Sequence, residues 1–163
     1  MNAVPPSAPR HVGDLMTTEP VVVRADATLV DASREMEQNG YSGLPVVDVD
    51  GGLVGVISET DLLRARATEY LWSSWSTLRV KNLMTSPALT VRTDDTLLAA
   101  ARKMERHRVS RLVVVGDADE TRPVGVISIS DLLRSMTAGM TEDEPEVADE
   151  DVVSEPVVES PGD

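Results

Sequence analysis

Short apolar runs alternate with amphipathic stretches along this chain, and the same order of runs occurs twice. Val21-Val22-Val23, behind Pro20, predicts a short strand. Leu29, Ala32 and Met36 recur at helical spacing, so a helix is expected there. Asp26 or Thr28 suits its N-terminal cap, and Gly40 a left-handed C-terminal cap. Leu44 to Val47 and Leu53 to Ile57 flank the turn-forming Asp48-Val49-Asp50-Gly51-Gly52, the mark of a hairpin. Ser58 then opens a second helix through Leu62 and Leu63. The second half repeats the series: strand Leu89 to Val91, a helix through Leu97, Ala100, Ala101 and Met104, strands Leu112 to Val115 and Val124 to Ile127, and a helix at Asp131. The prediction is an α/β (α+β) protein with the order β-α-β-β-α, twice.

The repetition extends to individual residues. Met16/Met84, Arg24/Arg92, Met36/Met104 and Ser42/Ser110 each stand 68 positions apart, and Asp61/Asp131 stand 70 apart. The second copy therefore carries two extra residues in the loop from Gly116 to Arg122. A period this long implies two supersecondary units that bury their apolar faces against each other. It also implies paired, pseudo-symmetric sites between them. The chain divides into an N-terminal extension (1–10), a first repeat (11–66), an aromatic linker (67–79), a second repeat (80–138) and an acidic tail (139–163).

Composition narrows the possibilities. With no Phe and only Trp72, Trp75, Tyr41 and Tyr70 as aromatics, the core must be Val, Leu, Ile, Ala and Met. The absence of Cys excludes disulfides, thiolate zinc sites and thiol nucleophiles, and points to a reducing compartment. The opening M-N-A-V-P-P-S-A-P-R-H has no apolar segment typical of a signal peptide. No apolar run approaches the ~18–20 residues of a membrane span, so a soluble, cytoplasmic protein without a membrane partner is expected. The net charge of −13 is carried largely by the tail, where ten Asp or Glu and no Lys or Arg lie between Thr141 and Asp163. Such a segment should be disordered; it reads as a solubilising extension or as an arm competing for a basic patch. Nucleic acid is not an expected partner, because no concentrated basic face is present. Tyr70, Trp72 and Trp75 in the linker read either as a partner or dimer surface or as a lid on their own domain.

The chemistry concentrates at G-V-I-S-x-[ST]-D, which is Gly55 to Asp61 in one copy and Gly125 to Asp131 in the other. Ser followed three residues later by Asp, ahead of Leu-Leu, is a capping-box pattern that satisfies orphan N–H groups at a helix start. The same strand-to-helix junction is a natural seat for an anion. Ser58, Thr60, Ser128 and Ser130 add hydroxyls, and a carboxylate at Asp61 or Asp131 suits a vicinal diol such as a ribose. The two readings are compatible.

An enzyme would need a nucleophile–base pair or a metal centre. His11 and His107 have no zinc-ligand spacing, and neither a GxxxxGK[ST] nor a GxGxxG phosphate motif is present. No catalytic residue, catalytic cofactor or metal is expected.

Four segments in order, present twice (D-L-M-T or N-L-M-T, the D-x-T-L helix start, L-P-V-V or L-V-V-V, and G-V-I-S-x-x-D-L), resemble a tandem pair of CBS domains, a Bateman module, over about residues 11 to 137. The resemblance implies two sheets packed with pseudo-twofold symmetry. It also implies two clefts for adenosine compounds (AMP, ADP, ATP or S-adenosylmethionine) and assembly into a homodimer. Carried over residue by residue, site A comprises Tyr41, Ser42, Arg111, Ser128, Ser130 and Asp131. In this site Asp131 would hold the ribose, while Arg111 and Ser128 would meet phosphate. Site B comprises Gly43, Val109, Ser110, Ser58, Thr60 and Asp61. Gly43 matches Arg111, so site B is expected to lack a phosphate-binding cation. Arg111 has an alternative as a surface residue paired with Asp117 or Asp119. Lys103, Arg106, His107 and Arg108 form a basic helix end, mostly solvated, one member of which is within reach of a phosphate under this resemblance. The expected function is a non-catalytic sensor that binds an adenosyl ligand between the repeats and modulates assembly or an unidentified protein partner. The alternative is a ligand-independent dimeric scaffold.

Overall fold

The computed structural model describes residues 9–138. Most of the N-terminal extension and the whole acidic tail lie outside the described residues. The elements in order are α1 (Val12–Leu15), β1 (Thr17–Thr18), β2 (Val23–Arg24), α2 (Leu29–Asn39), β3 (Gly43–Val47), β4 (Leu53–Ser58), α3 (Glu59–Ala67) and α4 (Glu69–Ser73). They continue with α5 (Val80–Leu83), β5 (Thr90–Arg92), α6 (Leu97–His107), β6 (Arg111–Val115), β7 (Pro123–Ser128) and α7 (Ile129–Ala138). The expected β-α-β-β-α order is present in both halves, and two mixed sheets result, ordered β2-β3-β4 and β1-β7-β6-β5.

Local chemistry accounts for the helix ends. Thr28 caps α2: its hydroxyl accepts from the Asp31 N–H at 3.0 Å, and the Asp31 carboxylate accepts from the Thr28 N–H. Gly40 ends the helix in the left-handed region, with φ 67°. In α6 the equivalent position is Arg108, which takes φ 53°, a conformation that strains a side chain. One helix face supplies Leu29, Ala32 and Met36 to the first core, and the matching face supplies Ala100 and Met104 to the second. Buried hydrophobic positions among the described residues are all Val, Leu, Ile, Ala or Met, as the aromatic-poor composition requires. The hairpin turn holds because Asp48 Oδ1 accepts from the N–H groups of Asp50 and Gly52, each at 2.9 Å. Gly51 supplies the positive φ of 82°.

The first strands of the repeats start later than the apolar pattern suggested, at Val23 and Thr90. The reason is register: Val23 pairs in parallel with Val46, and Thr90 with Val113. Val21 and Leu89 turn instead towards the clefts between the repeats.

The segments ahead of the repeats change places. Thr17 and Thr18 pair antiparallel with Val126 and Gly125 of the second half, while Thr85 bridges Val56 of the first. Val12 of α1 is fully buried in the second core, and Val80 of α5 in the first. Each core is thus plugged by the residues that precede the other repeat. This exchange ties the halves together and sets the walls between them.

The aromatic linker carries one short helix, α4, followed by turns. Trp75 packs against the first core, its ring lies 5.2 Å from Trp72, and the Arg66 guanidinium sits 4.2 Å above the Trp72 ring. Trp75 therefore serves its own domain. Tyr70, at 77% exposure, does not.

Candidate functional site: two clefts between the repeats

Two clefts open where the repeats meet, and their walls are related by the repeat. Cleft A, about 320 Å³, is lined by Tyr41, Ser42, Arg111, Ser128, Ser130 and Asp131 together with Thr17, Val21 and Arg134. Cleft B, about 370 Å³, is lined by Ser58, Thr60, Asp61, Val109 and Ser110 together with Thr85, Leu89 and Arg64. Each cleft takes a strand-to-helix junction from one copy and the start of the central strand from the other. The structure brings together all six residues assigned to site A. Five of the six assigned to site B also converge; Gly43 instead lines cleft A.

The junctions are built by the capping box. Asp131 Oδ2 accepts from the Ser128 N–H at 2.8 Å and from its hydroxyl at 3.0 Å, while Ser128 Oγ accepts from the Asp131 N–H at 3.2 Å. Ser58 and Asp61 repeat this at 2.9, 3.0 and 3.2 Å. Both carboxylates are nearly buried, Asp61 at 9% and Asp131 at 6% exposure. The cap consumes donors that the sequence pattern left open for an anion. The Glu59 and Ile129 N–H groups donate to the Ser42 and Ser110 carbonyls, each at 2.9 Å. The N–H groups of Thr60 and Ser130 are then what remains of each first turn.

The second oxygen of each carboxylate faces an arginine one turn along its helix. Arg134 donates to Asp131 Oδ1, and Arg64 lies 3.5 Å from Asp61 Oδ1. Sequence reasoning passed over both arginines, although the repeated D-L-L-R places them at i+3 in each copy, the spacing at which helix side chains meet. Both are largely exposed, so each pair contributes little to stability.

Arg111 is the least conventional member. It stands at the start of β6, is half-buried, and donates from Nη2 to Ser42 Oγ and, at 3.4 Å, to Ser110 Oγ. It does not pair with the acidic turn: Asp117 meets Arg92 and Asp119 meets Arg122. Burial pushes its guanidinium below the usual arginine range, and the nearby Glu59 carboxylate opposes that shift. The expectation that cleft B lacks a cation is corrected here. Arg111 reaches that cleft as well, and Arg108 and Arg64 line it too. A β-carbon on Gly43 would stand 2.7 Å from Arg111 Nη1. Of the basic helix end, Arg108 reaches a cleft, while Lys103 bonds the Thr90 carbonyl.

No group of three or more His, Asp or Glu suited to a metal occurs among the described residues. No helix among them is long and apolar enough to cross a membrane.

The sequence matches the CBS domain family over residues 12–68 and 80–138. It is 33% identical over 123 residues to a homoserine O-acetyltransferase of Methanococcoides burtonii, covering 76% of this chain and 23% of that protein. The chain thus spans about a quarter of the length of such relatives. An uncharacterised protein of Methanocaldococcus jannaschii is 28% identical, with 77% of this chain and 90% of that protein covered. Among solved structures, CBSX2 in complex with AMP is 30% identical with a TM-score of 0.70, covering 82% of this chain and all (100%) of that one. The CBS domain pair of protein MJ0100, in complex with methylthioadenosine and S-adenosyl-L-methionine, is 25% identical with a TM-score of 0.70, covering 79% and 97%.

Proposed function

The chain belongs to the CBS domain family, and on that footing we propose that it is a non-catalytic regulatory module that binds adenosine-containing ligands between its two repeats. One observation carries the reading: each cleft joins a nearly buried, pre-oriented Asp at a helix start to hydroxyls contributed by both copies and to two or more arginines. That set matches an adenosine phosphate or S-adenosylmethionine. The carboxylates of Asp131 and Asp61 accept from a ribose diol, Ser130 and the arginines meet phosphate while Ser128 is held in the cap, and Tyr41 offers an aromatic edge to a base. Solved relatives holding AMP, or methylthioadenosine with S-adenosylmethionine, support it. The reading as a regulatory part is supported by relatives in which the shared region is about a quarter of a longer enzyme. A ligand touching both repeats biases their relative orientation in proportion to its differential affinity for two arrangements, and so modulates a partner. The absence of Cys supports a cytoplasmic setting.

A second reading, a ligand-independent dimeric scaffold, is favoured by the exposed Leu63 on α3 and Leu133 and Met136 on α7. These side chains also support a homodimer under the first reading. Calorimetric titration with AMP, ADP, ATP and S-adenosylmethionine, with Asp131→Ala alongside, separates the two. Micromolar binding of one compound, with the event at cleft A lost in the variant, is the expected result. A folded protein that binds none of them leaves the scaffold.

A further inference from the structure

Arg111 sits where the two copies meet and lines both clefts, as does Ser42. Its guanidinium lies between equivalent hydroxyls, Ser42 of one copy and Ser110 of the other. Its own counterpart is Gly43, and a β-carbon there would stand 2.7 Å from Arg111 Nη1. A side chain at Gly43 would have to displace the Arg111 tip. The other arginines do not duplicate it: Arg134 lines cleft A alone, and Arg64 and Arg108 line cleft B alone. Arg64 and Arg134 are also engaged with Asp61 and Asp131. Among the described residues, no carboxylate lies within ion-pair distance of Arg111. A half-buried cation held by two hydroxyls, with the Glu59 carboxylate near it in cleft B but out of ion-pair contact, is suited to a phosphate arriving from either side.

We propose that Arg111 is a single phosphate-binding group shared by the two clefts, so that a phosphorylated ligand in one cleft withdraws it from the other. The proposal rests on the adenosine-ligand reading above and gives it a stoichiometric consequence. Adenosine itself makes no claim on Arg111, and its two binding events are independent. A phosphorylated ligand gains the charge-assisted hydrogen bond once per protein molecule, and the second equivalent binds at least about tenfold more weakly without it. The weak cleft is not fixed by its own residues. It is whichever cleft fills second.

The test is titration calorimetry of AMP and adenosine against the full chain, Arg111→Ala, Ser130→Trp and Thr60→Trp, with circular dichroism as a check of folding. Ser130 and Thr60 are exposed positions that line one cleft each, so a Trp obstructs that cleft without entering the core. Val21→Trp and Leu89→Trp replace them if two equivalents of adenosine still enter. The full chain is expected to bind AMP in two events at least about tenfold apart, and each Trp variant one AMP at the tighter of the two affinities. Arg111→Ala is expected to bind AMP in both clefts at about the weaker of the parent's two affinities. Two equal AMP events in the full chain overturn the proposal. So does one Trp variant binding tightly and the other weakly, since Arg111 then belongs to a single cleft. If adenosine binds but AMP gains nothing over it, sharing fails and the adenosine reading survives; if neither binds, both fail.

Discussion

Gly43 of the first repeat gives Arg111 of the second the space it occupies: a β-carbon on the glycine would lie 2.7 Å from Arg111 Nη1 and 3.2 Å from the Ile57 carbonyl oxygen. The repeat places these residues at equivalent positions of β3 and β6, where they face each other across the junction. Identical side chains cannot both occupy that space, so the pseudo-symmetry is broken at this pair.

Gly43→Ala is expected to destabilise the protein by about 1 kcal/mol, a few degrees in Tm. The guanidinium tip can give way, but the Ile57 carbonyl belongs to the sheet. In an Arg111→Ala background the same substitution is expected to cost less, and a double-mutant cycle by thermal denaturation measures the difference. An unchanged cost there would assign the crowding to Ile57 alone.

Asp131 supports two roles that substitutions can separate. In Asp131→Asn the amide oxygen still accepts from the Ser128 N–H and hydroxyl, so stability is expected within about 1 kcal/mol of the parent, whereas Asp131→Ala loses the reciprocal cap and falls by about 1–2 kcal/mol. The AMP event in cleft A is expected to weaken at least about tenfold in both, while that in cleft B persists. Urea denaturation reads the first effect and calorimetry the second. Normal AMP binding by Asp131→Asn would reduce the carboxylate to a helix cap.

Acid should weaken the fold through carboxylates that cap helices and turns. Backbone N–H groups of His11 and Arg10 hold Asp14 below the usual carboxylate range, and Thr28, hydroxyl first and backbone second, does the same for Asp31. The Thr121 hydroxyl and N–H lower Asp119. A folded-state pKa below the unfolded one stabilises fully above the unfolded value, near pH 4, and that contribution is lost as pH falls through the lower folded value. Urea midpoints are expected to fall below about pH 4. In Asp31→Asn the midpoint should be lower at neutral pH but lose less on acidification. An equal acid loss in that variant would show that Asp31 does not participate.

Much of this was legible from the residues. Gly40, Ser58 and Ser128 announce helix ends by chemistry acting within four residues, and the hairpins follow from β-branched runs flanking a turn. The repeat itself located both clefts. The exchange of leading segments was not legible, because β1 is two residues long, too short to show a period, and its partner Val126 is remote in sequence. The alignment of copies pairs Arg111 with Gly43 and so assigns it to one cleft; what that alignment hides is that a side chain at the junction crosses it. Arg64 and Arg134 were visible within D-L-L-R, but nothing in the motif says that they turn towards Asp61 and Asp131.

The exchange has its own signature in two glycines, and it yields the sharpest stability prediction. A β-carbon on Gly55 would stand 2.6 Å from the Thr85 carbonyl oxygen and 2.9 Å from Met84 Sδ. On Gly125 it would stand 2.7 Å from Met16 Sδ and 2.8 Å from the Thr17 carbonyl oxygen. The methionine tips can swing aside, but the carbonyls cannot, since the Thr85 oxygen accepts from the Val56 N–H at 3.0 Å and Thr17 is paired with Val126. An added methyl must therefore lift the crossing segment, loosening Val80 or Val12 in the core it plugs. Gly55→Ala and Gly125→Ala are each expected to cost about 2 kcal/mol. Gly116→Ala, whose nearest neighbour would be 3.6 Å away, is expected within about 0.5 kcal/mol of the parent. Urea denaturation of the three variants decides the matter. If all three unfold alike, the crossing segments are not held against the sheets, and the coupling between halves must come from the clefts alone.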